Sequence, residues 1–241
     1  MSGKRARLSF ANDEEAKRAA KLFETRLAND ETLIWEGNSA VAFSEKRIYD
    51  FVVICMNQRV QFRFDPVKSA QAAAFFLKRH DGSLSKYILL KLLYLADREA
   101  LRKWNIPITG DEPYSMKFGP VPSRIYDLTK DGIRFADIWE PVIKTESVRL
   151  VSLKSDPGQD ELSDEEIELL EEIYQKFKRY DFEKMKEYCH SLPEYDSSTG
   201  NGSKLITFEN LLHHLGKTEE EIQYVATSEN EARVLRDVFG A

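Results

Sequence analysis

The sequence predicts an α+β protein: a mainly helical core with a small strand pair, preceded by a small α+β N-terminal module. Three observations predict it. From Asp65-Pro66 onward, helical periods follow one another, each with its own start or stop signal. A weak alternation of Val142, Val148, Leu150 and Leu153 interrupts them with a pair of strands over Ile138 to Leu153. Before Asp65, one helical period is followed by segments rich in Val, Ile, Phe and Tyr. The domain boundary therefore falls at Asp65, with an N-terminal module over 1–65 and a helical domain over 66–241.

In the N-terminal module, Asn12 with Glu15 marks a helix start, and Ala16, Ala19, Ala20, Phe23 and Leu27 repeat at helical spacing to about Ala28. Ala40 to Phe43, Arg47 to Met56 and Arg59 to Phe64 read as strands, the last two paired across a turn near Asn57. In the second domain, Asp65 caps a helix with Pro66 at its first position, and Asp81-Gly82 stops it. Ser83 caps the next helix, which runs to about Trp104 before Pro107 ends it. Proline disfavours helical backbone at Val121, so a further helix starts at Pro122 and stops at Asp131-Gly132.

Ser163 with Glu166 forms a capping box for a helix striped by Ile167, Leu170, Ile173, Tyr174 and Phe177. Asp181 starts a short helix that Leu192-Pro193 terminates. The tract from Asp196 to Ser203 is too rich in Ser and Gly for regular structure and reads as a loop. Thr207 to Leu215 forms a helix closed by Gly216, and Thr218 with Glu221 makes the capping box of a last one.

With 241 residues, 42% hydrophobic and 32% charged, the chain can bury a substantial core. No apolar run is long enough for a bilayer span, and the N-terminus lacks the apolar centre of a signal peptide, so no membrane role and a cytoplasmic location are expected. Cys55 and Cys189 lie far apart without neighbours at ligand spacing, which predicts neither disulfide nor metal site. The net charge of −6 argues against general nucleic-acid binding. It also conceals a split: Asp156 to Glu172 is acidic throughout, whereas Lys86 to Arg134 carries nine basic residues against six acidic ones. Solvated helix faces account for both runs, as would a bipolar surface for a protein partner.

The most informative stretch is KLLYLADREALRKW, PITGD and SMKFGPVPSRIYDL. Wound at 100° per residue from Lys86, Leu89, Leu92, Leu93, Leu95 and Ala96 make a sufficient core face. Tyr87, Leu90, Tyr94 and Leu101 form a second apolar strip, framed by Asp97 on one edge and Lys91 and Arg98 on the other. Such a strip fits a central helix covered on two sides, or an exposed aromatic surface built from residue types enriched at binding hot spots. Beside it, Gly110, Gly119, Pro120 and Pro122 make a stiff corner.

Enzyme signatures are thin: there is no GxSxG, Walker loop, GxGxxG or HExxH. Neighbours on a helix point about 100° apart, so Cys189-His190-Ser191 does not form a nucleophile cluster. Catalytic residues, metal and cofactor are all expected to be absent. An uncharacterised enzyme using a pocket near His190 and Asp97 remains an alternative.

These motifs, with the AAAFFLKR helix, LSDEEIELLEEIY and YCHSLPEY, resemble the Panacea domain, or SocA-like antitoxin domain, over about residues 69–224. The resemblance implies an antitoxin of a bacterial or phage toxin–antitoxin pair that neutralises its toxin, encoded by the adjacent gene, by direct binding. One branch of the family is described as a proteolytic adaptor, which adds a AAA+ protease as a candidate partner. A DNA-binding autoregulator of its own operon is the competing reading. Under the antitoxin reading, Tyr87, Leu90, Lys91, Tyr94, Asp97, Arg98 and Leu101, with Thr109, Gly110, Asp111, Lys117, Phe118, Gly119, Pro120, Val121 and Pro122, form or brace the toxin-facing surface. Residues 1–65 match no part of that family.

Overall fold

Local capping chemistry decides where most of the helices begin. The computed structural model describes residues 6–9, 33–36, 39–42, 59–130 and 135–239. The Asp65 carboxylate accepts from Lys68 N at 2.9 Å and opens α1, Pro66–Arg79. The Ser163 and Glu166 side chains cap each other's backbone at the start of α5, Asp164–Phe177. Asp181 accepts from Lys184 N to start α6, Phe182–His190. Thr207 opens α7, Phe208–His214, and Thr218 exchanges hydrogen bonds with Glu221 at the start of α8, Glu219–Phe239. The remaining helices are α2, Lys86–Trp104, with the short α3, Ser123–Leu128, and α4, Ala136–Trp139.

The chain divides into two compact units, one of Met1–Gln61 with Gln223–Ala241 and one of Phe62–Ile222. The division at Asp65 read from the sequence assigns Gln223–Ala241 to the core instead. In the first unit, β1 (Ala6–Ser9), β2 (Leu33–Glu36) and β3 (Ser39–Ala42) form an antiparallel sheet of order β1-β3-β2. The strand expected over Ala40 to Phe43 overlaps β3. The helix expected from Asn12 to Ala28 and the strand from Arg47 to Met56 lie outside the described residues.

The second unit is mainly helical, and α2 is its axis. Residues from Leu89 to Asp97, with Ala100 and Leu101, are buried all round the helix, against α1, α5, α6 and the two-residue strand Val121–Pro122. The surrounding core is supplied by Phe75, Phe76, Leu169, Leu170, Phe177 and Met185. Two small antiparallel sheets flank it: β4 (Ser83–Ser85), β8 (Leu150–Leu153) and β7 (Ile143–Thr145) in the order β4-β8-β7, and β6 (Val121–Pro122), β5 (Pro113–Met116) and β9 (Ser203–Leu205) in the order β6-β5-β9. The predicted strand pair is β7 and β8, joined by a third strand. No helix among the described residues is long and apolar enough to cross a membrane.

Four local expectations are corrected. Arg59 to Phe64 is irregular and not a strand: Phe62 packs edge-on to Phe208 and Phe64 is buried near Phe135, so the alternation reflects packing without a ladder. Ser83 does not cap α2 but pairs with Ser152 in β4, and Ser85 stands at the cap without a side-chain bond. The Gly/Pro corner contains β5 and β6, with Pro113 opposite Pro122 and Tyr114 opposite Val121. The Asp196 to Ser203 tract holds a 3-10 turn at Ser197–Thr199, capped by Asp196, before Ser203 enters β9.

Candidate functional site

The strip on α2 is core, held by polar groups that find their partners elsewhere in the fold. Tyr94 Oη donates to Glu194 Oε1 at 2.6 Å, and Arg98 Nε donates to the same oxygen at 2.6 Å. Arg98 Nη2 reaches Glu194 Oε2 at 3.3 Å. Burial alone would raise the Glu194 carboxyl, but the bonds from Arg98 and Tyr94 outweigh it and hold the pKa below the ordinary value. Burial, reinforced by the Glu194 charge, lifts the Tyr94 phenol well above its usual range.

One turn along α2, Asp97 fixes the PITGD corner. Its Oδ1 accepts from Thr109 N at 2.8 Å and its Oδ2 from the Thr109 hydroxyl. Burial pushes the Asp97 pKa up to about 7 against the opposing effect of these bonds. Asp111 continues the chain of contacts as a cap supplied from a distance. Its carboxylate accepts from Arg124 N at 3.1 Å and Ile125 N at 2.8 Å, the second and third amides of α3. Pro122, at the cap position itself, has no side chain that could do this. Burial raises Asp111 to about 6.

Glycine is required twice in this corner. At Gly110, with φ of +67°, an added Cβ would stand 2.1 Å from the Arg63 carbonyl oxygen. At Gly119, with φ of +96°, it would stand 2.7 Å from Cys189 Cβ and 3.3 Å from Lys91 Nζ. That close approach leaves Lys91 fully buried, donating to the Pro120 carbonyl at 2.6 Å and lying 5.1 Å from the Tyr87 ring centre. Burial lowers the Lys91 pKa to about 7 and raises that of Cys189 to about 11.

The sixteen candidate residues therefore separate. Leu90, Lys91, Tyr94, Asp97, Leu101, Thr109, Gly110, Asp111, Gly119, Pro120, Val121 and Pro122 are all buried, and Arg98 is half-buried. The exposed-strip reading of Leu90, Tyr94 and Leu101 is corrected: Glu194 and the packed helices cover it. Tyr87, Lys117 and Phe118 stay at the surface, where they meet a residue not anticipated from the sequence. Phe182 is 39% exposed and its ring lies 4.6 Å from Tyr87 and 5.6 Å from Phe118. An apolar residue at the first position of a capped helix, where it has no turn before it to pack on, was the available signal. Glu194 was also missed, although Arg98 on an apolar helix called for a carboxylate partner.

Part of the acidic run is also paired within the fold. Lys68 pairs with Glu166, Lys78 with Asp156, Arg79 with Glu171 and Lys103 with Glu172, tying α1 and α2 to α5 and its approach. His190 and Asp97 have separate partners, since the His190 ring stacks on Tyr195 at 4.3 Å. A cleft of about 120 Å³ between α2, α5 and α6 is lined by Arg98, Glu99, Glu172, Lys176 and Tyr188, and by neither His190 nor Asp97. No cluster of His, Cys, Asp and Glu suited to a metal ion occurs among the described residues.

No curated protein and no solved structure gave a match to the chain. One family model did, and its limits fall at the first buried leucines of α2 and just beyond Glu194. Over residues 89–195, less than half of its length, the chain is similar to the family described as Antitoxin SocA-like, Panacea domain.

Proposed function

We propose that this chain is an antitoxin that neutralises a partner toxin by direct protein–protein contact. The observation that carries this reading is the family match over residues 89–195, a segment that holds the whole α2–corner–Glu194 network. The network braces the corner from inside and leaves Tyr87, Lys117 and Phe118 outside it. A protein that acts by contact needs a rigid scaffold behind a presented surface, because ordering a loose loop on binding lowers affinity.

Inducible expression of the adjacent reading frame, with and without this chain, tests the proposal. Restored growth together with a complex that survives co-purification is the expected result. Persistent toxicity in cells that accumulate the folded chain would overturn it. Repeating the assay in a host lacking its AAA+ proteases separates stoichiometric neutralisation from adaptor action: rescue by contact alone persists there, and rescue by delivery is lost.

A further inference from the structure

We infer that Tyr87, Phe118 and Phe182 form the toxin-docking face, and that the partner offers it an apolar side chain flanked by carboxylates. The inference rests on the antitoxin reading. The three rings come from the start of α2, the corner and the start of α6, and meet as one cluster with Phe118 43% and Phe182 39% exposed. Contiguous aromatic surface left in water is a feature of binding sites, whereas apolar residues exposed singly are ordinary.

The backbone beneath the cluster is fixed before any partner arrives. Tyr87 Oη donates to the Phe118 carbonyl at 2.9 Å, Tyr195 Oη to the Lys117 carbonyl at 3.3 Å, and buried Lys91 to that of Pro120. Three carbonyls between Lys117 and Pro120 are thus anchored, so Phe118 is presented with little ordering left to lose.

Charge selects the partner. The Lys117 and Lys186 ammoniums lie 5.6 Å and 5.9 Å from the ring centres of Phe118 and Phe182. Lys186 is paired with Glu183, while Lys117 reaches only the neutral Asn201 amide among the described residues. Glu183 and the Asp181 carboxylate at the α6 cap offset Lys186, which leaves Lys117 as the ammonium beside the cluster that no described carboxylate pairs with, and this favours carboxylates on the incoming surface at that edge. A nucleic acid fits less well. Stacked bases need open ring faces, but here lysines lie over Phe118 and Phe182, and the rings pack tilted or edge-on against each other.

The test titrates the purified product of the adjacent reading frame into the full chain and its variants. Phe118→Ala and Phe182→Ala should each weaken binding about thirty-fold, the loss associated with truncating a hot-spot ring. Lys117→Glu, which removes no packed ring, should weaken it as well, and binding by the unaltered chain should fall with added salt. Val148→Ala, at an 83% exposed position in the β7–β8 turn, should bind normally. If the unaltered chain binds and the Phe118, Phe182 and Lys117 variants bind equally well, the docking face is wrong while the antitoxin reading stands. If the unaltered chain neither binds nor rescues growth, both fail together. Binding of a single-stranded oligonucleotide that is lost in the two Phe variants would overturn the inference in favour of a nucleic-acid partner.

Discussion

Tyr87 and Tyr94 lie two turns apart on one side of α2, yet they belong to different parts of the molecule. Tyr94 is 2% exposed and donates to a carboxylate one hundred residues later in the chain. Tyr87 sits at the rim, donates to a backbone carbonyl and touches the exposed Phe182 ring. Residue type and helical phase do not distinguish them. The difference lies in what arrives from elsewhere: Glu194 supplies a buried acceptor to one, while the corner and α6 bring only surface to the other. The inner region is therefore a polar clamp whose loss should be read in stability, and the outer one a face whose loss should be read in binding.

The severest way to break the comparison is Gly110→Ala. A Cβ 2.1 Å from the Arg63 carbonyl oxygen cannot be accommodated without backbone movement, and φ of +67° disfavours any other residue. A loss above about 4 kcal/mol is expected, visible as a missing cooperative transition in thermal melts. Next is Glu194→Ala, which removes the acceptor of Tyr94 and Arg98 together and should cost about 3 kcal/mol in denaturant unfolding. An unchanged midpoint would show that the clamp is not a stabilising unit.

Lys91 offers a subtler test through pH. Its folded pKa of about 7 lies below the ordinary 10.5, so between these values the unfolded chain binds more protons than the folded one. Stability should rise with pH from about 7 to about 9, above which the raised Cys189 thiol opposes it, by up to about 1.4 kcal/mol per pH unit, and Lys91→Met should abolish that slope. Asp97 and Asp111 act in the opposite sense on the acid side. Their folded pKa values of about 7 and about 6 exceed the ordinary 3.8, so their contribution to stability falls as pH rises from about 4. The smallest expected effect belongs to the outer region: Phe118→Ala should shift stability by no more than about 0.5 kcal/mol, as at other exposed positions.

Features that depend on a few adjacent residues were legible in the sequence. Asp65 with Pro66, Ser163 with Glu166 and Thr218 with Glu221 each mark a helix start through side-chain bonds spanning three residues. The short strands β4, β5, β6 and β9 were not: Ser83 pairs with the distant Ser152 and Tyr114 with Leu205, while β6 is only Val121–Pro122, too short to show an alternation. At the site, the sequence identified α2 and the corner as one feature but could not assign its burial. Lys91, Tyr94 and Asp97 look like surface residues until Pro120, Glu194 and Thr109 are seen to satisfy them. Phe182 joined the exposed cluster only once the fold had brought α6 beside the corner.

The bond between Tyr94 and Glu194 has a consequence for synthesis. A ribosome releases α2 about a hundred residues before the carboxylate that closes over it, so the nascent helix carries a phenol and a guanidinium that still lack their acceptor. Until Glu194 emerges, the apolar side of α2 that it helps to cover stays open to proteases and chaperones. A frameshift or stop anywhere before it leaves a product that cannot close.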